Sequence, residues 1–171
     1  MSTTDHLPML QACEKCAAGG APADELWLEY DQRKRGRLKA VTAGGRAIGL
    51  FLPRGEALRD GELLRCESGE LIAVRAAPEA VATASTDDPL LLARACYHLG
   101  NRHVPLQIAP GRVRFQCDAV LEDLARHLGL TVLRQDAPFH PEAGAYHGHG
   151  GHGHHHGDGG SHHHHGDHEH G

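Results

Sequence analysis

The 171-residue chain carries 17 basic and 22 acidic side chains, a formal charge of −5 with histidine neutral, so it lacks the cationic excess of a nucleic-acid interface. No apolar run is long enough to cross a bilayer, and residues 1–6 lack the basic and apolar regions of a secretory signal, so a cytoplasmic protein with no membrane or nucleic-acid partner is expected. Five cysteines at scattered spacing fit reduced thiols in that compartment better than a disulfide framework.

The N-terminal residues 1–21 contain Cys13-Glu14-Lys15-Cys16, the spacing of half a zinc site or of a redox pair. Neither a second ligand pair nor a preceding strand accompanies it. The segment therefore reads as poorly ordered, with two exposed thiols.

Residues 22–77 change to short apolar runs at 26–30, 38–42, 47–52, 63–66 and 71–76. Gly44-Gly45, Arg54-Gly55, Asp60-Gly61 and Ser68-Gly69 separate several of them and supply residues tolerant of positive φ, as hairpin turns require. This is the pattern of a small all-β domain. The basic run Gln32-Arg33-Lys34-Arg35 on its first connection reads as a solvated loop, with an acidic protein partner as the functional alternative.

Residues 78–138 follow a different order: strand at 80–84, helix at 90–99, strands at 104–108 and 112–116, helix at 119–128, strand at 130–134. Asp87 or Asp88 can cap the first helix, Pro89 can start it, and Gly100 is placed to end it. The second helix has Asp118 as N-cap, Gly129 just past its end, and Val120, Leu121, Leu124 and Leu128 for a core face. His127 near its end suits the negative end of the helix dipole. The order βαββαβ is the ferredoxin-like arrangement, a four-stranded antiparallel sheet with both helices on one face. The fold class is α+β. His98 falls on the first helix and His103 at the junction of its exit turn with the next strand.

Residues 139–171 form the last segment. From 147 onward it holds twelve of the seventeen histidines and no aliphatic or aromatic side chain, so it cannot bury enough apolar surface to offset its ordering entropy and is expected to be disordered. Its imidazoles, His147, His149, His152, His154, His155, His156, His162, His163, His164, His165, His168 and His170, are spaced by glycine, serine or acid. Neutral imidazole is a borderline ligand suited to Ni(II), Zn(II) and Cu(II), and glycine spacers let several rings converge on one ion. Each ring must be deprotonated to bind, so metal is expected to leave as pH falls through about 6.5.

Several separated motifs occur together: Gly49-Leu50-Phe51-Leu52-Pro53-Arg54-Gly55, Leu58-Arg59-Asp60-Gly61, Ala76-Ala77-Pro78-Glu79, and Tyr97-His98-Leu99-Gly100-Asn101-Arg102-His103-Val104-Pro105-Leu106-Gln107-Ile108, followed by the His-rich end. In this order they resemble the UreE urease accessory proteins over roughly residues 24–140. The resemblance implies a partner- or peptide-binding β domain, a ferredoxin-like metal-binding domain, and a homodimeric nickel metallochaperone that serves assembly of the urease active site. It implies as partners the urease accessory GTPase and the complex of urease apoprotein with the other accessory proteins. By motif, His103 corresponds to the histidine that each subunit presents at the dimer interface, and His98 to a second histidine of the same run. Some members carry further histidines where this chain reads Gln116-Cys117-Asp118-Ala119; Cys117 offers a soft ligand there instead.

Two other readings compete with a carrier. In one, the tail is a metal buffer or store for Ni, Zn or Cu and the folded body only a scaffold. In the other, an enzyme uses Cys96 or Cys117 as a nucleophile with a nearby histidine; an apolar setting for Cys96 and the lack of a glycine-rich oxyanion loop argue against it.

Overall fold

The structure is a computed structural model that describes residues 10–16, 19–53, 55 and 57–143. The expected disordered tail beyond residue 143, with all twelve of its histidines, lies outside the described residues.

The N-terminal half is a six-stranded sheet ordered β2-β6-β5-β1-β4-β3, built from β1 (Leu10–Cys16), β2 (Asp24–Leu28), β3 (Arg37–Val41), β4 (Ala47–Phe51), β5 (Leu63–Cys66) and β6 (Leu71–Ala76). Alternating side chains put Leu26, Leu28, Ile48, Leu50, Leu64, Ile72 and Val74 into one core. The sheet curls, because the β3–β4 turn donates from Ala43 N–H to the Glu25 carbonyl on the far edge strand, at 2.8 Å. Gly61 and Gly69 occupy left-handed turn conformations, φ 83° and 86°, as their positions in the sequence suggested.

Two expectations for this half need correction. Residues 1–21 are not all poorly ordered: Leu10–Cys16 is an interior strand, parallel to β4 and antiparallel to β5, with a register shift between Ala12 and Glu14. Its composition has little intrinsic strand preference. Two flanking ladders supply the hydrogen bonds, and Ala12 is fully buried between them. Cys16 is held in this strand, its sulfur 3.1 Å from Arg65 Nη2.

The basic run is not a solvated loop either. Its first half belongs to a helical turn, α1 (Tyr30–Arg33), where the sequence pattern extended a strand to residue 30. Arg33 is only 4% exposed. Its Nη1 donates to the Leu58 carbonyl at 3.0 Å and its Nη2 to the Phe139 carbonyl.

The C-terminal half has the expected ferredoxin-like topology. Its strands β7 (Pro78–Ser85), β8 (Gln107–Ala109), β9 (Arg112–Gln116) and β10 (Thr131–Pro138) form an antiparallel sheet in the order β10-β7-β9-β8. The helices α2 (Pro89–Gly100) and α3 (Ala119–Leu128) pack on the face that bears Ala82, Ala84, Val113 and Phe115. Asp118 caps α3 by accepting from the N–H groups of Val120 and Leu121, and Gly129 closes it at φ 103°. The core face of α3 differs from expectation. Leu121, Glu122 and Ala125 are buried and Leu124 and Leu128 pack partly buried against the same core, whereas Val120 is 68% exposed.

The two halves meet through polar contacts with buried partners. Glu79 accepts from the Tyr30 N–H at 2.7 Å and from Gln116 Nε2 at 3.0 Å. The Tyr30 ring stands edge-on to Phe139, centroids 5.5 Å apart.

Candidate metal centre

The centre is built around the exit of α2. Asp88 Oδ1 accepts from the N–H groups of Leu90 and Leu91 at 2.8 and 3.3 Å, and Pro89 occupies the first turn, where no helical hydrogen bond is lost. Ala95 and Leu99 fix the helix on the sheet with no exposure. The opposite face is left in solvent: Leu90 is 59% and Tyr97 67% exposed, with the small, exposed Ala93 between them at helical spacing.

At the C-terminal end the structure departs from expectation. Gly100 is the last helical residue rather than a left-handed stop, and the C-cap is Asn101 in ordinary right-handed geometry. The helix continues into a tight turn, in which Asn101 N–H donates to Tyr97, Arg102 N–H to Leu99 and His103 N–H to Gly100, at 3.0, 3.0 and 2.9 Å. The left-handed residue is His103, at φ 57°, the only non-glycine residue with positive φ among the described residues. A side chain pays for that conformation sterically, and such positions cluster at functional sites. His103 is exposed. Residues 104–106 then run outside any strand, and β8 starts at Gln107 rather than at 104, so the histidine stands clear of the sheet.

His98 is exposed on α2, its ring edge-on to Tyr97 with centroids 5.3 Å apart, and Arg102 Nη1 donates to its carbonyl at 3.2 Å. Among the described residues no group of three or more His, Cys, Asp or Glu side chains is arranged to hold a metal ion. His98 and His103 therefore do not make a complete site within one chain from these residues alone. The twelve tail histidines lie outside the described residues.

The thiols near this half are not activated. Cys96 packs half-buried against the core and burial pushes its thiol up; burial, with Glu122 beside it, does the same to Cys117. Both shifts oppose a thiolate nucleophile at neutral pH.

Sequence reasoning missed the strap that follows β10, and placed its residues in the disordered tail. Arg114 Nη1 donates to the Pro138 carbonyl at 3.2 Å, the His140 N–H to Gln107 Oε1 at 3.1 Å, and the Glu142 N–H to the Leu106 carbonyl at 2.7 Å. Arg114 lies on the opposite face of β9 from Val113 and Phe115, so residues 138–142 cross the sheet on the side away from the helices. The last described residues thus come to lie beside the segment that follows His103. The sequence signal was slight: Phe139 is a lone large apolar residue in a polar stretch, and it is fully buried.

The family model for the N-terminal domain of the UreE urease accessory protein matches residues 4–77, and that for its C-terminal domain matches residues 79–170. The chain belongs to the UreE urease accessory protein family. It is 49% identical over 146 residues to a urease accessory protein UreE from Teredinibacter turnerae, covering 84% of this chain and 95% of the relative. It is 59% identical over 127 residues to one from Pseudomonas putida strain GB-1, covering 71% and 77%, and 51% identical over 127 residues to one from Proteus mirabilis, covering 74% and 79%. The family is one of accessory proteins, not of enzymes. No described helix is long and apolar enough to cross a membrane.

Proposed function

We propose that this chain is a cytoplasmic nickel metallochaperone for urease maturation, acting as a homodimer whose tight site is shared between the His103 side chains of two copies. Ni(II) is its cargo, and Zn(II) or Cu(II) compete for the same imidazoles. His98 and the tail histidines supply further ligands. The loaded dimer hands its ion by ligand exchange to the urease accessory GTPase and the complex of urease apoprotein with the other accessory proteins.

The observation that carries this reading is the setting of His103: an exposed imidazole on a strained turn, at the end of the exposed apolar stripe Leu90, Ala93 and Tyr97. A two-fold axis beside that stripe buries it and turns one histidine per chain into a pair of ligands. Small Ala93 at its centre lets the two helices come close. Gly100, next to the turn, has open space where a side chain would stand, which also suits close approach of a second copy. The family membership supports the urease role, and borderline imidazole donors suit nickel.

Isothermal titration of nickel into the full chain and into its His103→Ala variant, with light scattering for mass, tests the reading. One tight ion per dimer, lost in the variant, supports it. Tight binding that survives His103→Ala in full supports the metal-store alternative, in which the His-rich tail alone holds the ions.

A further inference from the structure

Between Gln32 and Gly55 the sequence holds seven cationic side chains and no acidic one, in a chain whose net charge is −5. The fold keeps most of that charge at the surface. Arg33 is buried and Arg46 is paired with Asp24 and Glu70, but Lys34, Arg35, Arg37 and Lys39 are exposed. Arg35, Arg37 and Lys39 form no ion pair among the described residues, and Asp31, whose carboxyl feels the Arg35 charge, is already bonded to Lys34 at 2.6 Å. A groove of about 880 Å3 opens between these side chains, lined by Lys34, Arg35, Gly36, Arg37, Leu52 and Gly55. Backbone bonds fix its walls: Lys34 N–H donates to the Tyr30 carbonyl at 3.2 Å, Arg35 N–H to Gln32 at 3.1 Å and Leu52 N–H to Gly36 at 2.7 Å. A β-carbon at Gly36 would lie 2.6 Å from the Leu52 carbonyl oxygen, so this close approach requires glycine. Arg37 and Phe51 are register partners on the outer face of the sheet, where Phe51 is 44% exposed. Cations on an edge strand guard it against pairing with other chains, which accounts for Arg37 and Lys39 on β3. Arg35 precedes the strand, so edge protection does not account for it.

We propose that this groove docks an extended, acidic peptide segment of a partner protein, with carboxylates on Arg35 and Arg37 and an apolar side chain against Phe51. Charge complementarity selects the occupant: a guanidinium without an internal partner offers a two-pronged fork to a carboxylate, and walls already anchored by the backbone lower the ordering cost of binding. A small anion would satisfy one guanidinium and leave Phe51 and the rest of the groove uncovered. Length is available as well. A second cleft of about 540 Å3 shares Lys34 and Gly55 with the first and runs on to His140 and Pro141, so the two make a continuous path for several residues of extended chain. The groove is built on the β domain alone, from elements other than those that carry His103, so the docking surface does not depend on how metal is held.

Fluorescence anisotropy on the full, metal-free chain tests this, using a labelled peptide in which glutamate alternates with serine around one central leucine. The same peptide with glutamine for glutamate is the control. Binding of the acidic peptide alone is expected, weakened roughly tenfold or more when Arg35→Gln and Arg37→Gln are combined, and less by Phe51→Ser. Arg112→Gln, which removes an exposed cation from β9 in the other half, should leave binding unchanged. None of these side chains belongs to the buried core, so the variants retain the fold. No binding by the parent, undiminished binding by the double variant, or equal weakening by Arg112→Gln would overturn the proposal. Displacement of the peptide by inorganic phosphate, where chloride at the same ionic strength has no effect, would also overturn it and assign the groove to a small anion.

Discussion

Arg134 Nε lies 2.9 Å from both carboxylate oxygens of Glu122, a side chain with no solvent exposure in the first turn of α3. Arg126 adds a third contact at 3.0 Å. The pair ties α3 to the edge strand β10, from which the strap departs. Hydrogen bonding to Arg134, then to Arg126, outweighs burial and holds the Glu122 carboxyl below the usual range. A carboxyl depressed by folding stabilises the native state above its unfolded value, about 4.3, and that contribution disappears as pH falls through the lower folded value. Glu122→Gln should therefore cost about 1–2 kcal/mol at pH 7, and the gap to the parent should close below about pH 4. Thermal unfolding of both proteins across pH 3–8 checks this; a pH-independent gap would mean that the loss is one of packing.

The backbone at His103 makes a second prediction. Its left-handed conformation costs a side chain on the order of 1 kcal/mol, a cost that glycine does not bear. His103→Gly is expected to unfold at the same temperature as the parent or higher, while losing tight nickel binding. His103→Val, β-branched, should be less stable than either. Melting curves alongside nickel titrations would show stability and binding moving in opposite directions, as expected where strain is kept for function.

The exposed face of α2 supplies a third. If two copies meet there, Tyr97→Glu and Leu90→Glu place charge in an apolar contact and shift the dimer toward monomer, by roughly tenfold or more in dissociation constant. The isolated fold should tolerate both, since neither side chain belongs to the buried core. Sedimentation at several concentrations reads the shift. A monomer-dimer equilibrium unaffected by either substitution would move the interface elsewhere.

A fourth concerns acid. Imidazole binds metal only when neutral, and histidine protonates with an ordinary value of about 6.5. Between pH 7.5 and 5.5 the number of ions bound by the full chain should fall steeply, since protonation would also set up to twelve positive charges against only three negative ones in residues 147–171. Equilibrium dialysis at fixed free nickel measures it.

Much of the C-terminal half was legible because its signals are local. Asp88 and Asp118 announce helix starts, Gly129 a helix end, and the alternation at 112–116 a half-buried strand. Features set by partners distant in sequence were not legible. Leu10–Cys16 becomes a strand because β4 and β5 flank it, and Arg33 is buried because Leu58 and Phe139 lie 25 and 106 residues away. Gly100 looked like the stop for α2 because glycine is the usual left-handed residue; the turn instead assigns that conformation to His103. His103 as a candidate ligand came from the resemblance of the run around it, and local pattern alone did not distinguish it from a surface histidine.

The central claim is a shared nickel site at His103, and the most direct test is spectroscopic. X-ray absorption of the dimer loaded with one nickel per two chains, comparing the parent with His103→Ala, counts the imidazoles on the ion. The account predicts that the parent's first shell includes imidazoles from both copies and that the substitution removes the tight ion or lowers the imidazole number by two. An identical nickel spectrum at identical occupancy in the two proteins would contradict it.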